Sequence, residues 1–229
     1  MPSRIERKCP TLEFEKSLWD SHLERIGGID EAGRGAWAGP VSAAMVILPV
    51  DPWLTRKLDG VRDSKEMSPA ARAAWEPRIK ACALAWGVGF ASAEEIDTIG
   101  ILPATRLAAT RALVHLSPDY LLTDYLIFRE ISLPQTALVK GDQRSLSIAA
   151  ASVLAKTARD DVMRQLDRSY PGYGFERHKG YGTPQHQEAI ARLGLCEIHR
   201  KSFAIQGTRR PGDGRQRNRR SPESPILFS

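Results

Sequence analysis

The sequence predicts an α/β domain, a mixed sheet flanked by helices, and three observations carry that prediction. Two strand-like apolar runs, 26–30 and 41–48, are joined by a glycine-rich turn within the stretch Gly27 to Pro40. Later strand-like runs are separated or followed by helical patterns. The longest helical pattern, from Gln143 towards Arg168, opens on small residues (Ser147-Ile-Ala-Ala-Ala-Ser-Val-Leu-Ala155) that let a helix lie close against a sheet.

In chain order, Thr11 to Ile26 reads as an amphipathic helix, with Leu12, Phe14, Leu18, Trp19 and Leu23 at near-helical spacing. The strands at 26–30 and 41–48 follow, the second closed by Pro49, and residues 53–66 read as loop. Ser68-Pro69 gives an N-cap followed by proline and starts a helix towards Ala81, with a kink expected at Pro77. A strand is expected from Leu84 to Ala91. Ser92 and Glu95 form a capping-box pattern, and a longer helix spans Leu102 to Leu116. Tyr120 to Asp124 and Thr136 to Lys140 read as short strands, the latter running into Lys-Gly-Asp. Beyond Pro171 comes a loop rich in glycine, tyrosine and basic residues, then a helix from Pro184 to Leu193.

The 229 residues suffice for one substantial domain or two small ones. The expected division is a domain over 1–206 and a basic, disordered tail over 207–229. The formal charge of +6 is unevenly placed. The tail holds six arginines against Asp213 and Glu223, a net +4, which leaves only +2 for the rest. Nucleic-acid binding by the body must therefore rest on local placement of charge. No apolar run approaches the roughly 18 residues of a membrane helix, and the N-terminus lacks a signal-peptide core, so a cytoplasmic protein without membrane contact is expected. Three widely spaced cysteines (Cys9, Cys82, Cys196) argue against a disulfide framework.

Four carboxylates stand at ends of expected strands: Asp30, Glu31, Asp124 and Asp142. In α/β sheets that is where sites commonly lie. Two unit charges 4 Å apart repel by about 4 kcal/mol at an effective dielectric near 20, so converging acids need protons or cations. An all-oxygen ligand set favours Mg²⁺ or Mn²⁺ over zinc. Asp142 directly precedes a helix, and an N-cap role accounts for it equally well. Asp124 taken alone reads as an ordinary loop acid. Asp30 and Glu31 are harder to dismiss after a buried Ile29. As strand neighbours they face opposite ways, so a shared site needs a turn, which Ala32-Gly33 would supply.

Several motifs occur in order: Gly-Ile-Asp-Glu-Ala-Gly-Arg-Gly with Ala-Gly-Pro-Val-Ser-Ala-Ala (28–44), Asp-Ser-Lys (63–65), Lys-Gly-Asp-Gln-Arg-Ser-Leu-Ser-Ile-Ala-Ala-Ala-Ser-Val-Leu-Ala-Lys (140–156), Tyr-Gly-Phe-Glu-Arg-His-Lys-Gly-Tyr-Gly-Thr (173–183) and His-Arg-Lys-Ser-Phe (199–203). Together, from about residue 25 to 204, they resemble bacterial ribonuclease HII. The resemblance implies a ribonuclease H-like fold with a mixed five-stranded sheet and a helical C-terminal part. It also implies hydrolysis of the RNA strand of RNA–DNA hybrids and nicking 5′ of single ribonucleotides in duplex DNA. Asp30, Glu31, Asp124 and Asp142 would hold two Mg²⁺ or Mn²⁺ ions about 3.5–4 Å apart. Gly33, Arg34 and Gly35 would read the 2′-hydroxyl and Tyr181 would stack on the 3′-side sugar. Lys65, Lys140 and Lys179 are suggested as phosphate contacts, and Ser145 and Ser147 as further hydroxyl donors, unless the serines belong to the helix start. His178, His186 and His199 read as structural or surface residues. A monomer is expected, and a replication-clamp contact is one role open to the tail.

The sequence departs from the family pattern at three places. Tyr125 follows the third acid where glycine is usual, Ala36-Trp37 replaces Pro-Leu, and Ile205 stands where proline is common. Only a short helix precedes the first motif, leaving no room for the extra N-terminal domain of ribonuclease HIII. Two rivals fare worse. Gly33-x-Gly35-x-x-Ala38 fits a dinucleotide fingerprint formally, but a strand follows where a helix is required. A non-catalytic nucleic-acid binder leaves four strand-end acids unexplained, since they would repel phosphate.

Overall fold

The computed structural model describes residues 9–205, so the arginine-rich tail lies outside the described residues. The sheet is built from β1 (Ile26–Ala32), β2 (Val41–Ile47), β3 (Ala85–Ala91), β4 (Tyr120–Asp124) and β5 (Gln135–Leu138). Among the described residues it has five strands in the order β3-β2-β1-β4-β5. The β1–β2 and β2–β3 pairs are antiparallel, while β1–β4 and β4–β5 are parallel. This is the mixed sheet expected from the sequence.

The helices are α1 (Glu13–Trp19), α2 (Leu54–Lys57), α3 (Pro69–Cys82), α4 (Ala93–Ile99), α5 (Ile101–Leu113), α6 (Leu146–Ser169), α7 (Phe175–His178) and α8 (Pro184–Leu193). Alternation along β2 sends Val41, Ala43, Met45 and Ile47 into one core with Ala104 and Ala108 of α5. Ala44 and Val46 enter the opposite core with Ala150, Val153 and Leu154 of α6. The small residues of α6 permit a close approach: a Cβ on Gly28 of β1 would collide with the Ser147 backbone. Gly28 therefore sets how deeply the start of α6 sinks onto the central strand.

Several boundaries differ from expectation. The first helix stops at Trp19, because the chain reverses through His22 (φ 63°) and Ile26 is taken by parallel pairing with Tyr120. Residues 53–66 are not all loop: α2 and a 3-10 turn, Ser64–Glu66, lie there. The helix over Pro69–Cys82 continues through Pro77. β5 ends at Leu138 because Lys140 adopts a left-handed conformation (φ 54°). The long helix begins at Leu146, not Gln143; its N-cap is Ser145, whose hydroxyl accepts from the Ile148 amide. Asp142 is thus no helix cap and sits in a separate 3-10 turn, Gly141–Gln143. Ser68, Ser92 with Glu95, and Thr183 cap their helices.

Candidate active site

β1 and β4 run side by side with Ile29 opposite Thr123, so the next residues, Asp30 and Asp124, stand together where the pairing of these two strands ends. The turn after β5 brings Asp142 to the same point. Carboxylate oxygens of Asp30, Asp124 and Asp142 lie within 4.8 Å of one another. The Gly141 amide donates to Asp124 at 2.7 Å and locks the turn onto β4. Asp30 accepts from the Glu31 amide at 2.7 Å, and its other oxygen is buried without a hydrogen-bond partner. Such an orphaned oxygen is costly unless something else binds it.

Glu31 stands beside this trio and not within it. β1 continues to Ala32 before turning at Gly33 (φ 92°), one residue too late to bring Glu31 round. Its carboxylate instead accepts from Arg34 at 3.1 Å and lines an adjoining cavity.

The electrostatics match the crowding. Burial, then the charge of Glu31, holds the Asp30 carboxyl well above the carboxylate range. Burial, then the charges of Asp63 and Asp124, pushes Asp142 up to about 7. Burial also raises Asp124, against the lowering effect of the Gly141 amide, and raises Glu31 despite Arg34. Lys65, whose ammonium lies 3.9 Å from Asp142, stays raised although burial opposes it, because Asp63, Asp30, Asp142 and Asp124 surround it. The residues present fit a hard divalent cation: oxygen donors only, mutual repulsion, and one unpartnered buried oxygen.

Next to the acids lies a cavity of about 550 Å³ lined by Glu31, Gly33, Arg34, Lys65, Lys156 and Tyr181, among others. Gly35 also lines it, and a Cβ there would meet nothing within 4 Å. The fold itself does not require a glycine at that position. Gly33 is different: its backbone is left-handed and the Arg159 side chain occupies the place a Cβ would take, which leaves no room for another residue.

Two buried arginines hold this loop. Arg159 donates to the Pro40, Lys179 and Ala38 carbonyls at 2.8, 2.9 and 3.1 Å. Arg200 donates to Gly39 and Arg34 at 3.0 and 2.8 Å. Behind Tyr181 sits a histidine stack. His178 and His186 lie 4.4 Å apart, and His186 and His199 share a 3.1 Å contact. His186 Nδ1 also meets the Tyr181 carbonyl at 3.0 Å. The histidines are structural, as expected, and burial pushes His186 down to about 4.

A family model described as ribonuclease HII matches residues 27–206. The chain belongs to the ribonuclease HII family. It is 52% identical over 198 residues to ribonuclease HII of Synechococcus sp. (strain JA-3-3Ab), covering 85% of this chain and 88% of that one. It is 51% identical over 193 residues to a ribonuclease HII of Thermus thermophilus, covering 83% and 91%. Among solved structures it resembles the ribonuclease HII of the PCNA complex from Archaeoglobus fulgidus, with TM-score 0.66, 27% identity, and coverage of 77% and 92%. The ribonuclease H2 structure from Pyrococcus horikoshii, at TM-score 0.64 and 24% identity over 79% and 94% of the two chains, shows the same ribonuclease H-like fold. Membership makes the chain an endoribonuclease of the ribonuclease H type. No helix among the described residues is long and apolar enough to cross a membrane.

Against that family pattern, Tyr125 now has an explanation. It adopts φ 62°, a left-handed conformation that glycine takes without strain, and it is 70% exposed. The ring projects outward and Asp124 keeps its place through Gly141. Ser145 needs correction. It is fully buried, capping α6 and donating to Glu15 at 2.6 Å, so it cannot touch a substrate; Ser147 is buried in the same way. Of the three suggested lysines only Lys65 lines the cavity; Lys140 is exposed beside Asp142, and Lys179 turns its ammonium to the Glu176 carbonyl. Sequence reasoning assigned no role to Asp63, Arg159 or Arg200. Ser152, Arg159 and Met163 recur at helical spacing on the buried side of α6, which was the available signal.

Proposed function

We propose that this endoribonuclease cleaves the RNA strand of RNA–DNA hybrids and nicks duplex DNA 5′ of a single embedded ribonucleotide, leaving 3′-hydroxyl and 5′-phosphate ends. The observation that carries the reading is the junction of the carboxylate trio with the glycine-lined cavity. Asp30, Asp124 and Asp142, with Glu31 at the cavity edge, hold two divalent ions, Mg²⁺ or Mn²⁺. Two divalent ions held by these acids would supply Lewis-acid chemistry, activation of a water and stabilisation of a leaving 3′-oxygen. The acids would have to be ionised to hold them, which makes occupancy depend on pH.

The remaining work belongs to the chain. Gly33, Arg34 and Gly35 present backbone to the ribose, and the side-chain-free face of Gly35 supports close approach to a 2′-hydroxyl. Tyr181, with Lys156 and Arg159 cations 5.5 and 5.4 Å from its ring, offers a stacking face for the neighbouring sugar. Lys65 supplies a cation for the phosphate beside the acids, with Lys140 and Lys179 serving phosphates farther along the duplex. The PCNA partner of the Archaeoglobus fulgidus relative supports a sliding-clamp contact through residues 207–229, which pull-down with and without those residues would test. The main experiment is cleavage of a DNA duplex with one ribonucleotide, with Mg²⁺, Mn²⁺ or chelator and the cut mapped. A single metal-dependent nick on the 5′ side is expected. A cut elsewhere, or cleavage in chelator, would refute the reading.

A further inference from the structure

Glu15 is fully buried on α1, upstream of every motif above. One carboxylate oxygen accepts three hydrogen bonds from the start of α6: Ser145 hydroxyl at 2.6 Å, Ser147 hydroxyl at 2.7 Å and Ser147 amide at 3.0 Å. The other oxygen is buried with no hydrogen-bond partner. A negative side chain at a helix N-terminus is favourable, yet burying half a carboxylate unsatisfied is costly. Packing alone would be served better by an apolar residue.

The surrounding contacts show what that cost secures. Thr11 pairs with the same segment, its amide donating to Arg144 at 3.1 Å and its carbonyl accepting from Leu146 at 2.9 Å. The Arg144 guanidinium lies 4.8 Å from the Phe14 ring centre. Residues 11–15 therefore grip residues 144–147 as a strap. Immediately upstream is the turn bearing Asp142, tied to this segment by the Ser145 amide, which donates to Gly141 at 2.8 Å. Immediately beneath is Gly28, in contact with Ser147 and two residues before Asp30. The start of α6 is thus the common support of Asp142 and Asp30.

We propose that Glu15 is a positioning residue that fixes the start of α6 against β1 and so sets the spacing of Asp142 and Asp30 for the cation. This rests on the metal reading of the acid trio. Glu15 touches neither substrate nor ion; it acts through Ser145 and Ser147.

The test uses the full chain and Mn²⁺ alone, followed by calorimetric titration, with hydrogen exchange at residues 141–148. Glu15→Ala is expected to bind Mn²⁺ about ten-fold more weakly, the lower end of what losing a group that orients a metal ligand costs. Its amides at 144 and 145 exchange faster. Glu15→Gln, which keeps a carbonyl acceptor, restores most of the affinity. Where the alanine variant does not fold, Glu15→Asp draws the acceptor back by one methylene and weakens binding in the same direction. Ile96→Ala, a cavity on the opposite face of the sheet, lowers the melting temperature without changing Mn²⁺ affinity. Unchanged Mn²⁺ binding in Glu15→Ala or Glu15→Asp, with only a lowered melting temperature, would overturn the proposal. If the unsubstituted chain itself binds no Mn²⁺, it is the metal reading that falls, and unchanged exchange at 144 and 145 would then overturn Glu15's hold on the turn as well.

Discussion

The two halves of the site are built on opposite electrostatic principles. On the acid side, like charges converge, an oxygen of Asp30 is left without a partner, and burial holds the carboxyls raised. On the loop side, two fully buried arginines find backbone carbonyls, although one Arg200 nitrogen stays unpartnered and the two cations repel, and three histidines fill the space behind Tyr181. The first half is incomplete until something cationic arrives. The second is held by the chain's own carbonyls. The contrast suggests a division of labour in which chemistry waits on the ion while recognition of the sugar is preformed.

The largest effect is expected from breaking the acid half. Asp30→Asn or Asp142→Asn should lower cleavage at least about a thousand-fold, since several kcal/mol of transition-state stabilisation depend on the ion. Duplex binding should largely survive, as gel shift would show. Retained turnover in both variants would remove the metal mechanism. On the loop side, Arg159→Lys should cost about 2–3 kcal/mol of stability, because a lysine cannot reach the three carbonyls that a guanidinium spans. Chemical unfolding checks this; a loss well below about 1 kcal/mol would mean the clamp is dispensable. Tyr181→Ala should slow cleavage at an embedded ribonucleotide about 10- to 100-fold, in line with 1–3 kcal/mol for an aromatic stacking contact. Its melting curve should stay near normal. Unchanged kinetics would count against its role.

The two halves should also respond to pH with opposite sign in chelator. Asp142 is raised to about 7 in the folded protein, so the folded state holds the extra proton between about pH 4 and 7 and stability falls as pH rises there. His186 is lowered to about 4, so the unfolded state holds the extra proton between about pH 4 and 6.5 and stability is lost as pH falls. Each proton contributes a slope of at most about 1.4 kcal/mol per pH unit. Asp142→Asn removes one of the acid-side contributions, so between about pH 4 and 7 its stability should fall less, or rise more, with pH than the parent's. Identical profiles would show that the acid trio is not crowded in solution. The smallest effect concerns residues 207–229: removing them should flatten the log–log salt dependence of binding by about 0.9 per phosphate lost, sparing the ribonucleotide preference.

The contrast also explains what could be read beforehand. Asp30 was legible as an acid after a buried Ile29, whereas Asp124 and Asp142, which taken alone read as a loop acid and a helix cap, joined it through their near-strand-end positions and the family resemblance. Glu31 was less so, since its place depends on whether the chain turns before or after Ala32. Arg159 showed only as a residue on the buried side of α6 and Arg200 only as part of a motif; their roles were not legible, because their partners are backbone carbonyls. Glu15 was hidden for a related reason. Its partners, Ser145 and Ser147, lie some 130 positions away and looked like substrate donors or helix-start residues. Tyr125 reads as an anomaly until its left-handed backbone is seen.

The division of labour is tested most directly with Asp142→Asn on two duplexes, all-DNA and the same duplex with one ribonucleotide. Competition binding should favour the ribonucleotide duplex as it does with the parent protein held in chelator, while no nick forms in Mg²⁺ or Mn²⁺. Loss of that preference would mean that sugar recognition requires the ion, and continued nicking would mean that Asp142 does not hold it.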